Sequence, residues 1–337
     1  MEERLRFIMM VGLAGSGKST VATELTEGRD DIVIISSDSI REELFGDVNN
    51  QEKNGDVFVE MAKRTRKALE DGLHVIYDAT NLSRKKRKGL LSQLPKKLDI
   101  EKIVIYVATN YNTIIKQNAN RERVVPTQAI ERMYKSLQIP VYGEGWDKII
   151  YEYDEQTIQN DLPKQFTDSV RAGVLFNREG YELMGFLASF FHDEFFGIYD
   201  LPHDSKYHNF SVSRHIYYVY KHILDTYEGE DKELMLWTAL LHDIGKHHCK
   251  SFVNYKGEET IYANFIGHEL VGSQLAVSLL KRMNFGDEFV EKVVTLIQFH
   301  MYLLDSKASK DKLIGLVGQD LFDKLEILRD ADTIGHW

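Results

Sequence analysis

A glycine-rich segment near the amino terminus has the residue types and the spacing of a phosphate-binding loop. Gly12-Leu-Ala-Gly-Ser-Gly-Lys-Ser19 matches the pattern G-x-x-x-x-G-K-[ST] and lies between a predicted strand and a predicted helix. Glycines let successive backbone N–H groups point toward phosphates, and the N-terminal end of the following helix adds positive potential. The alternative is a glycine-rich turn that binds no ligand. The motif predicts a nucleotide site made of Gly12, Gly15, Ser16, Gly17, Lys18, Ser19 and Thr20.

Within this motif two side chains have distinct expected roles. Lys18 is expected to reach the β- and γ-phosphates of a nucleoside triphosphate, and the Ser19 hydroxyl is expected to bind Mg²⁺.

Asp38 follows a second apolar run, and Arg41 lies about one helical turn later. A carboxylate at Asp38 could take a proton from an acceptor hydroxyl, and Arg41 could bind a phosphate with two hydrogen bonds. Asp38 would equally suit a helix N-cap, and that alternative stays open.

Two arginines precede a proline in the segment Asn120-Arg-Glu-Arg-Val-Val-Pro126. Arg121 and Arg123 on a mobile segment could close over a triphosphate and neutralise charge during transfer. Asp78-Ala-Thr-Asn81 ends another apolar run, where a metal-associated acid or a nucleotide-contacting amide is expected. The alternative for the arginine segment is a solvated helix end, and the alternative for Asp78-Ala-Thr-Asn81 is a strand-end turn.

The second half of the chain concentrates side chains that bind divalent metals. Eleven of the twelve histidines lie from His192 onward, in the more acidic half. His242 and Asp243 follow the apolar run 236–241, where a charged carboxylate is costly unless it is paired or metal-bound. A single buried histidine is more often a core residue than a ligand. Here several predicted helices each contribute an imidazole or a carboxylate, which favours a shared site because a bundle brings distant ligands together.

The elements that must position these groups fall into two classes. Apolar runs at 6–12, 31–38, 73–78, 99–108 and 148–153 alternate with helical spacing, which predicts an α/β domain with a parallel sheet. Ligands of such sheets bind beyond the carboxyl ends of the strands. From about Phe176 helical periods dominate, over 178–196, 211–227, 230–245, 266–283, 286–304 and 310–329, which predicts an all-α domain. The predicted limits are 1–160, a linker over 161–176, and 177–337.

Composition sets the class and the surroundings. The 337 residues are 43% hydrophobic and 28% charged, which is typical of a soluble protein with two cores. No run approaches the roughly 18 apolar residues that a membrane helix needs. The start is a poor signal peptide and Cys249 is the single cysteine, which indicates a cytoplasmic protein. The basic run 84–88 could follow a nucleic-acid backbone, although such runs are more often solvated helix faces.

The segments of the first half together resemble the polynucleotide-kinase branch of P-loop phosphotransferases, over roughly residues 5–155. The family's phosphate loop is matched at Gly12–Thr20, although the family often has proline where this chain has Ala14. Its acceptor-activating aspartate and neighbouring arginine are matched by Asp38 and Arg41, and its lid arginines by Arg121 and Arg123. Its Asp-Ala-Thr-Asn segment is present at 78–81. The resemblance implies ATP and Mg²⁺ as cofactors, and Asp38 as the general base toward a 5′-hydroxyl.

The histidines and aspartates of the second half resemble the HD-domain phosphohydrolases, over about residues 177–335. The H…HD…D signature is matched by His215, His242, Asp243 and Asp330, and the pair His268 and His300 matches the form with two metals. The resemblance implies that the first four residues bind one ion, and that Asp243 also bridges to a second ion held by His268 and His300. Mixed nitrogen and oxygen ligands admit Mn²⁺, Fe, Co²⁺, Ni²⁺ or Zn²⁺.

Three further assignments accompany the HD resemblance. Lys246 is expected to bind a substrate phosphate, with a helix-terminal lysine as the alternative. His208 is a secondary candidate for the same pocket. Four other histidines of this half are expected not to bind metal, namely His192, His203, His247 and His248.

The sequence leaves three functions open. The first is processing of RNA or DNA ends, in which one half phosphorylates 5′-hydroxyls with ATP and the other removes a 3′-phosphate or opens a 2′,3′-cyclic phosphate. The second is a small-molecule kinase fused to a nucleotide phosphohydrolase. In the third, the first half is a nucleotide sensor that regulates the second. Whether the chain forms a homo-oligomer is left open as well.

Overall fold

The computed structural model describes residues 4–50, 52–121, 123–154, 162–177, 180–205 and 210–335. The chain folds as two compact units. The first extends to Met133 and resumes at Leu137–Asp154, and the second consists of Tyr134–Ser136 and the rest of the chain. Within the described residues, no helix is both long enough and apolar enough to cross a membrane.

A five-stranded, fully parallel sheet forms the centre of the first unit. The strands lie in the order β2-β3-β1-β4-β5. Phe7–Val11 of the central strand is entirely buried, as expected of a continuous apolar run covered on both faces. The strands are β1 Leu5–Val11, β2 Ile32–Ser36, β3 His74–Asp78, β4 Ile100–Ala108 and β5 Lys148–Tyr153.

Helices connect the strands, as the alternating pattern predicts. Val57, Met61 and Leu69 form the buried side of α3, which confirms the helical spacing of that segment. The helices of this unit are α1 Lys18–Glu24, α2 Ser37–Phe45, α3 Asn54–Glu70, α4 Arg84–Leu91, α5 Tyr111–Ala119 and α6 Thr127–Tyr134, with a 3-10 turn at Tyr142–Glu144.

The register of the sheet brings the functional segments to one edge. Ser36 is paired with Asp78 at the ends of β2 and β3, and Val11 is paired with Tyr106 near the end of β4. Because all five strands run in the same direction, the glycine-rich loop after Val11 and the acids at Asp38 and Asp78 share the carboxyl edge.

The second unit is predominantly helical. Its helices are α7 Lys164–Phe176, α8 Glu182–Phe190, α9 His192–Phe195, α10 Val212–Thr226, α11 Lys232–Leu241, α12 Lys246–Cys249, α13 His268–Arg282, α14 Asp287–Phe299, α15 Lys310–Val317 and α16 Gln319–Ile334. Short 3-10 turns follow at Phe196–Ile198 and His300–Leu304. The predicted linker at 161–176 contains α7, whose Thr167, Val170 and Val174 are buried.

A two-stranded antiparallel hairpin adds to the helices that were expected here. Its strands are β6 Ser251–Val253 and β7 Glu259–Asn264. Gly257 lies in the turn with φ 82°, a left-handed conformation that glycine adopts without strain. The Asn254 carboxamide oxygen accepts hydrogen bonds from the N–H groups of Lys256 and Glu258 and so fixes the turn. The hairpin leaves large apolar side chains exposed, among them Phe252, Ile261 and Tyr262.

The basic run 84–88 is only partly a solvated helix face, because Arg87 is buried. Its guanidinium donates to both carboxylate oxygens of Glu144, at 2.7 and 2.5 Å. It also donates to the main-chain oxygens of Asn81, Leu82 and Gln138. Arg87 therefore fixes the chain that follows β3, whereas Lys85, Lys86 and Lys88 remain exposed.

Replacing Arg87 by methionine is expected to lower the free energy of unfolding by about 3–5 kcal/mol, because the buried Glu144 carboxylate loses its main partner. Denaturant titration measures this loss. The matched variant Lys88→Ala removes an exposed charge from the same helix and should change stability by less than about 0.5 kcal/mol. Equal stability of the two variants would contradict a structural role for Arg87.

Candidate active sites of the two units

The glycine-rich loop after β1 forms a cradle with its lysine turned inward. Gly15 and Gly17 have φ angles of 86° and 92°, in the left-handed region where a side chain would add strain. A Cβ at Gly12 would lie 2.7 Å from Ser16 Oγ, so the loop has no room for one. Lys18 Nζ donates to the main-chain oxygen of Leu13 at 2.6 Å. Among the described residues, the buried Ser16 Oγ finds no hydrogen-bond partner. The predicted loop residues thus lie together, with Thr20 exposed at the start of α1.

The electrostatics of Lys18 show which charged groups surround the cradle. Burial lowers the pKa of Lys18 to about 8. The negative charges of Asp78 and Asp38 oppose this shift, and the positive charge of Arg121 adds to it. Asp78, Asp38 and Arg121 thus lie within electrostatic reach of Lys18. An anionic phosphate in the cradle would favour the charged form of Lys18.

Ser19, in the first turn of α1, pairs with Asp78 at the end of β3. The Ser19 hydroxyl donates to Asp78 Oδ2 at 2.9 Å. A hydroxyl beside a carboxylate at the mouth of a phosphate loop is the oxygen-donor pair that Mg²⁺ uses in P-loop enzymes. The Asn81 amide donates to the Met10 main-chain oxygen at 2.7 Å and ties the segment after β3 to β1.

Asp38 lies in the first turn of α2 and is held by two arginines. Arg41 Nη1 lies 2.8 Å from Asp38 Oδ1, and Arg123 Nη1 lies 3.0 Å from Asp38 Oδ2. The N-cap of α2 is Ser36, so Asp38 does not serve as the cap. Half of the Asp38 side chain is exposed. The carboxylate therefore faces an accessible position beside the loop, with a positive group at each oxygen.

The segment that carries Arg121 and Arg123 is closed by a residue that the sequence did not single out. The buried Asn118 side chain donates to the Val125 main-chain oxygen at 2.8 Å and accepts from the Val125 N–H at 2.9 Å. These bonds pin both ends of the loop after α5. Arg123 Nε also donates to Asn49 Oδ1 at 2.8 Å. Asn118 could have been found only by its place one helical turn from the arginines, which is a weak signal.

Four histidines and Asp243 converge in the core of the second unit. Two triads of side chains have ligand atoms close enough to share an ion: His215, His242 and Asp243, and Asp243, His268 and His300. All five are buried. Helix α11 is buried from Leu234 to Leu241, which carries His242 and Asp243 into the interior at its end. Asp243 belongs to both triads, which is the bridging position that the resemblance implies.

Main-chain carbonyls set the orientation of all four imidazoles. Each histidine donates from Nδ1 to a carbonyl oxygen, at 2.7–3.1 Å, namely His215 to Gly335, His242 to Ala239, His268 to Phe265 and His300 to Ile297. A carbonyl can only accept, so Nδ1 carries the proton and the Nε2 lone pair points into the cluster. This is the arrangement by which proteins orient metal-binding histidines.

The cluster has too many lone pairs for the donors around it. Nε2 of His215 and Nε2 of His242 lie 3.3 Å apart, and those of His268 and His300 lie 3.2 Å apart. Among the described residues, the buried Asp243 Oδ2 has no well-directed hydrogen bond, although Lys246 Nζ lies 2.6 Å away. A divalent cation would satisfy these facing nitrogens and the carboxylate, so the residues present fit one or two metal ions.

The shifted pKa values of His242 and Asp243 also indicate that the cluster stabilises positive charge. Burial opposes protonation of His242, but Asp243 and Asp332 outweigh it and raise the pKa of His242 to about 10. Burial lowers the pKa of His300 to about 3, and the neighbouring His268 and His242 contribute. Although burial opposes ionisation of Asp243, Lys246 and His242 hold the pKa of Asp243 well below its usual range. Asp243 and Asp332 thus favour positive charge at His242, and a bound cation would supply that charge in place of a proton.

The assignment of Asp330 as a metal ligand is wrong, and Asp332 takes that position. The Asp330 side chain is 65% exposed and pairs with Arg329. Asp332 Oδ1 lies 2.9 Å from His215 Nε2 and 3.6 Å from His242 Nε2. Both acids belong to α16, and helical spacing separates them. Asp332 is four residues after the buried Leu328 and seven after the buried Leu325, so it shares their inward face.

Two family models match separate parts of the chain. Residues 7–140 match a family model described as an AAA domain, and residues 208–335 match one described as an HD domain.

The chain joins a kinase-like AAA P-loop domain to an HD domain.

Individual relatives cover only parts of the chain. It is 29% identical over 154 residues to L-seryl-tRNA(Sec) kinase of Methanococcus maripaludis, covering 42% of this chain and 55% of the relative. It is 30% identical over 132 residues to the CC-adding tRNA nucleotidyltransferase of Thermus thermophilus, covering 39% of this chain and 29% of the relative. The chain thus spans about half or less of the length of these curated relatives. The two domain matches and the kinase relative support an enzymatic role.

A solved structure described as the Pnkp1/Rnl/Hen1 complex contains a chain that is 26% identical. The match covers 31% of this chain and 36% of that one, with a TM-score of 0.28. A TM-score of this size does not define a shared fold.

In the HD domain, Lys246 contacts the predicted metal site directly. Its ammonium lies 2.6 Å from Asp243 Oδ2 and 3.1 Å from His203 Nε2. It is therefore more than a helix-terminal lysine, because it is buried against the bridging carboxylate. Among the remaining histidines, His203 borders this lysine, and His208 lies outside the described residues.

Asp330 and Asp332 of α16 offer a matched test of the HD metal site. Asp332→Asn is expected to lower the affinity of the full chain for Mn²⁺ by about 10- to 100-fold, because a carboxylate beside His215 and His242 loses its charge. Asp330→Asn removes an exposed carboxylate and should leave the affinity within about twofold. Isothermal titration of the metal-stripped variants measures both constants. A larger loss for Asp330→Asn would restore the original assignment.

Proposed function

We propose that this chain processes nucleic-acid ends with two separate activities. The P-loop domain phosphorylates 5′-hydroxyl ends from ATP, and the HD domain removes a 3′-phosphate or opens a 2′,3′-cyclic phosphate. The observation that carries the first activity is the position of Asp38. Its half-exposed carboxylate lies at the mouth of the phosphate loop, within electrostatic reach of Lys18, and it is bonded to Arg41 and Arg123.

In the proposed transfer reaction each residue acts at a stated atom. Lys18 Nζ exchanges its bond to the Leu13 oxygen for oxygens of the triphosphate. An acceptor hydroxyl at Asp38 gives its proton to the carboxylate as the hydroxyl oxygen attacks the γ-phosphorus. The bond from the γ-phosphorus to the β,γ-bridging oxygen breaks in the same step, and ADP leaves with that oxygen. Arg123 leaves the carboxylate for the transferring phosphoryl group, where with Arg121 it offsets the growing charge. Arg41 stays on Asp38 and Asn54, and so holds the base in place.

The second activity rests on the donor set of the HD domain. Divalent ions held by His215, His242, His268, His300, Asp243 and Asp332 would supply Lewis-acid charge to a phosphate ester. Lys246 would bind a nonbridging phosphate oxygen through Nζ, since it already lies beside the bridging Asp243. The main-chain carbonyls keep the histidine lone pairs directed toward the proposed metal ions.

RNA is the proposed source of both ends. The two curated relatives are a kinase and a nucleotidyltransferase whose names specify tRNA. The exposed lysines at 85, 86 and 88 offer a local positive surface on α4 for a phosphate backbone. A short end requires few such contacts, which is compatible with the net charge of −10.

Labelled ATP, Mg²⁺ and a 5′-hydroxyl oligoribonucleotide test the first activity. Label is expected on the oligonucleotide in this reaction and not with a 5′-phosphorylated oligonucleotide of the same sequence. A panel of 3′-phosphate, cyclic phosphate and free nucleotide substrates with Mn²⁺, Co²⁺ and Ni²⁺ tests the second activity. ATP consumption with no labelled oligonucleotide would instead indicate a small-molecule kinase. ATP binding without turnover would indicate a nucleotide sensor.

A further inference from the structure

A cavity of about 460 Å³ opens beside the metal site of the HD domain. Its walls include His203, Asp200, Ser211, Phe210, Ile261 and Tyr262. This volume is in the range of pockets that bind small molecules. The cavity combines carboxylate and hydroxyl groups with aromatic and aliphatic walls, so its chemistry differs from that of the metal cluster.

His203 connects the cavity to the metal site. It lines the cavity, and its ring centroid lies 5.6 Å from that of His215. Its Nδ1 donates to the Phe210 main-chain oxygen at 2.8 Å, which leaves Nε2 to accept from Lys246 at 3.1 Å. Lys246 in turn lies 2.6 Å from Asp243 Oδ2. A ligand whose phosphate is held by Lys246 would therefore extend past His203 into the cavity.

The hairpin forms the outer wall and is fixed in place. The Ala263 N–H donates to the Asp204 main-chain oxygen at 3.0 Å. Lys250 Nζ donates to Asp204 Oδ2 at 2.6 Å and to the Pro202 main-chain oxygen at 2.5 Å. The Ala263 bond ties the strand that carries Ile261 and Tyr262 to the loop at 202–204, and the Lys250 bonds tie the start of β6 to the same loop. The wall is preorganised, so a ligand would not have to order it.

The exposed apolar groups of the hairpin indicate what would cover them. Ile261 is 89% exposed and Tyr262 is 51% exposed, although both line the cavity. Large apolar side chains grouped at a polar rim are typical of ligand-binding surfaces. A planar base could stack on Tyr262 and Phe210, as aromatic side chains accept any base face.

The polar side chains of the cavity restrict the class of ligand that it can bind. The Asp200 carboxylate and the Ser211 hydroxyl can hydrogen-bond sugar hydroxyls. The acidic groups of Asp200 and Asp204 disfavour a second phosphate in the cavity. The fitting ligand is a nucleoside whose single phosphate group lies outside the cavity, beside Lys246.

We propose that this cavity binds the terminal nucleoside of the HD substrate, with the base on Tyr262 and the sugar near Asp200. The inference rests on the proposed hydrolase function and deepens it. The HD domain then selects a phosphate attached to a nucleoside over other phosphate esters. The β6–β7 hairpin supplies this selectivity, although the sequence pattern of this half predicted only helices.

Two substrates with the same reacting group test the proposal in the full chain with Mn²⁺. The ratio of kcat/KM for adenosine 3′-monophosphate to kcat/KM for phenyl phosphate is measured for each variant. Tyr262→Ala is expected to lower this ratio on the order of tenfold, through a raised KM for the nucleotide, because a stacking surface is lost. Tyr262→Phe keeps the ring and should restore the ratio. Tyr255→Ala removes an 82% exposed tyrosine at the hairpin turn and should leave the ratio unchanged.

A binding measurement separates this inference from the proposed hydrolysis. Calorimetry follows adenosine 3′-monophosphate binding while the P-loop site is saturated with a nonhydrolysable ATP analogue. Binding that Tyr262→Ala weakens and Tyr255→Ala does not would support the cavity even if no substrate is hydrolysed. Hydrolysis of both substrates with the same ratio in all variants would overturn the cavity and leave the hydrolase intact. Absence of both hydrolysis and Tyr262-dependent binding would overturn both.

Discussion

Replacing Asp243 by asparagine is expected to lower metal-dependent phosphate hydrolysis by at least on the order of a thousandfold. Asp243 is the residue that both histidine triads share, and its two carboxylate oxygens face different imidazoles. Asparagine keeps the shape and removes the charge that draws cations to the cluster. Hydrolysis of a 3′-phosphate oligonucleotide with Mn²⁺, followed by chromatography of the products, measures the loss.

The kinase domain provides the internal control for this variant. Transfer of phosphate from ATP should continue at the wild-type rate, because Asp243 belongs to the other folding unit. The metal content of the purified variant, measured by mass spectrometry, should fall with the hydrolysis. A variant that keeps full hydrolysis would contradict the metal assignment.

Asp38→Asn is expected to lower phosphoryl transfer to a 5′-hydroxyl by about 10²- to 10⁴-fold, the range for loss of a positioned general base. Asparagine cannot accept the proton of the acceptor hydroxyl. Lys18 and the glycine-rich loop are unchanged, so the dissociation constant for ATP should change little. Steady-state kinetics with a 5′-hydroxyl oligoribonucleotide give kcat, and equilibrium binding of ATP gives the dissociation constant.

A second acid in the first unit serves as the matched control. Asp56 is exposed in the first turn of α3, and Asp56→Asn should leave kcat within about twofold. If Asp38→Asn retains the wild-type kcat, the carboxylate is only an ion-pair partner of Arg41 and Arg123. A different group would then have to accept the proton.

Local pattern was sufficient for the fold class and for the phosphate loop. Continuous apolar runs ending in polar residues predicted a parallel sheet, and the register places Asp38 and Asp78 at the edge beside Gly12–Ser19. These features follow from neighbours in sequence and from one rule about strand direction. That is why the order of strands was not needed to predict which segments would meet.

Features that depend on distant partners could not be predicted in the same way. Arg87 belongs to a basic run, and its burial depends on the distant Glu144 carboxylate and Gln138 carbonyl as well as on the nearby carbonyls of Asn81 and Leu82. The hairpin lies between helices and leaves its apolar side chains exposed, so it lacks the periodicity of a buried strand. The inward lone pairs of the histidines depend on carbonyl groups such as those of Gly335 and Phe265.

Helix geometry explains why Asp332, and not the predicted Asp330, lies in the histidine cluster. Residues two positions apart on a helix, such as Asp330 and Asp332, point in directions about 200° apart. One of the two acids must therefore face solvent when the other faces the core. The buried Leu325, Leu328 and Ala331 mark the inward face, and helical spacing from them selects Asp332. The helical spacing of these apolar residues therefore predicts Asp332, and not Asp330, on the face toward His215 and His242.

One oligoribonucleotide with a 5′-hydroxyl and a 3′-phosphate tests the central claim, that two independent sites act on nucleic-acid ends. The full chain is incubated with it, ATP, Mg²⁺ and Mn²⁺, and both ends are identified by nuclease digestion and chromatography. The account predicts a 5′-phosphate and a 3′-hydroxyl, with Asp38→Asn losing only the first change and Asp243→Asn only the second. Wild-type enzyme that leaves both ends unchanged, or variants that lose both changes together, would contradict it.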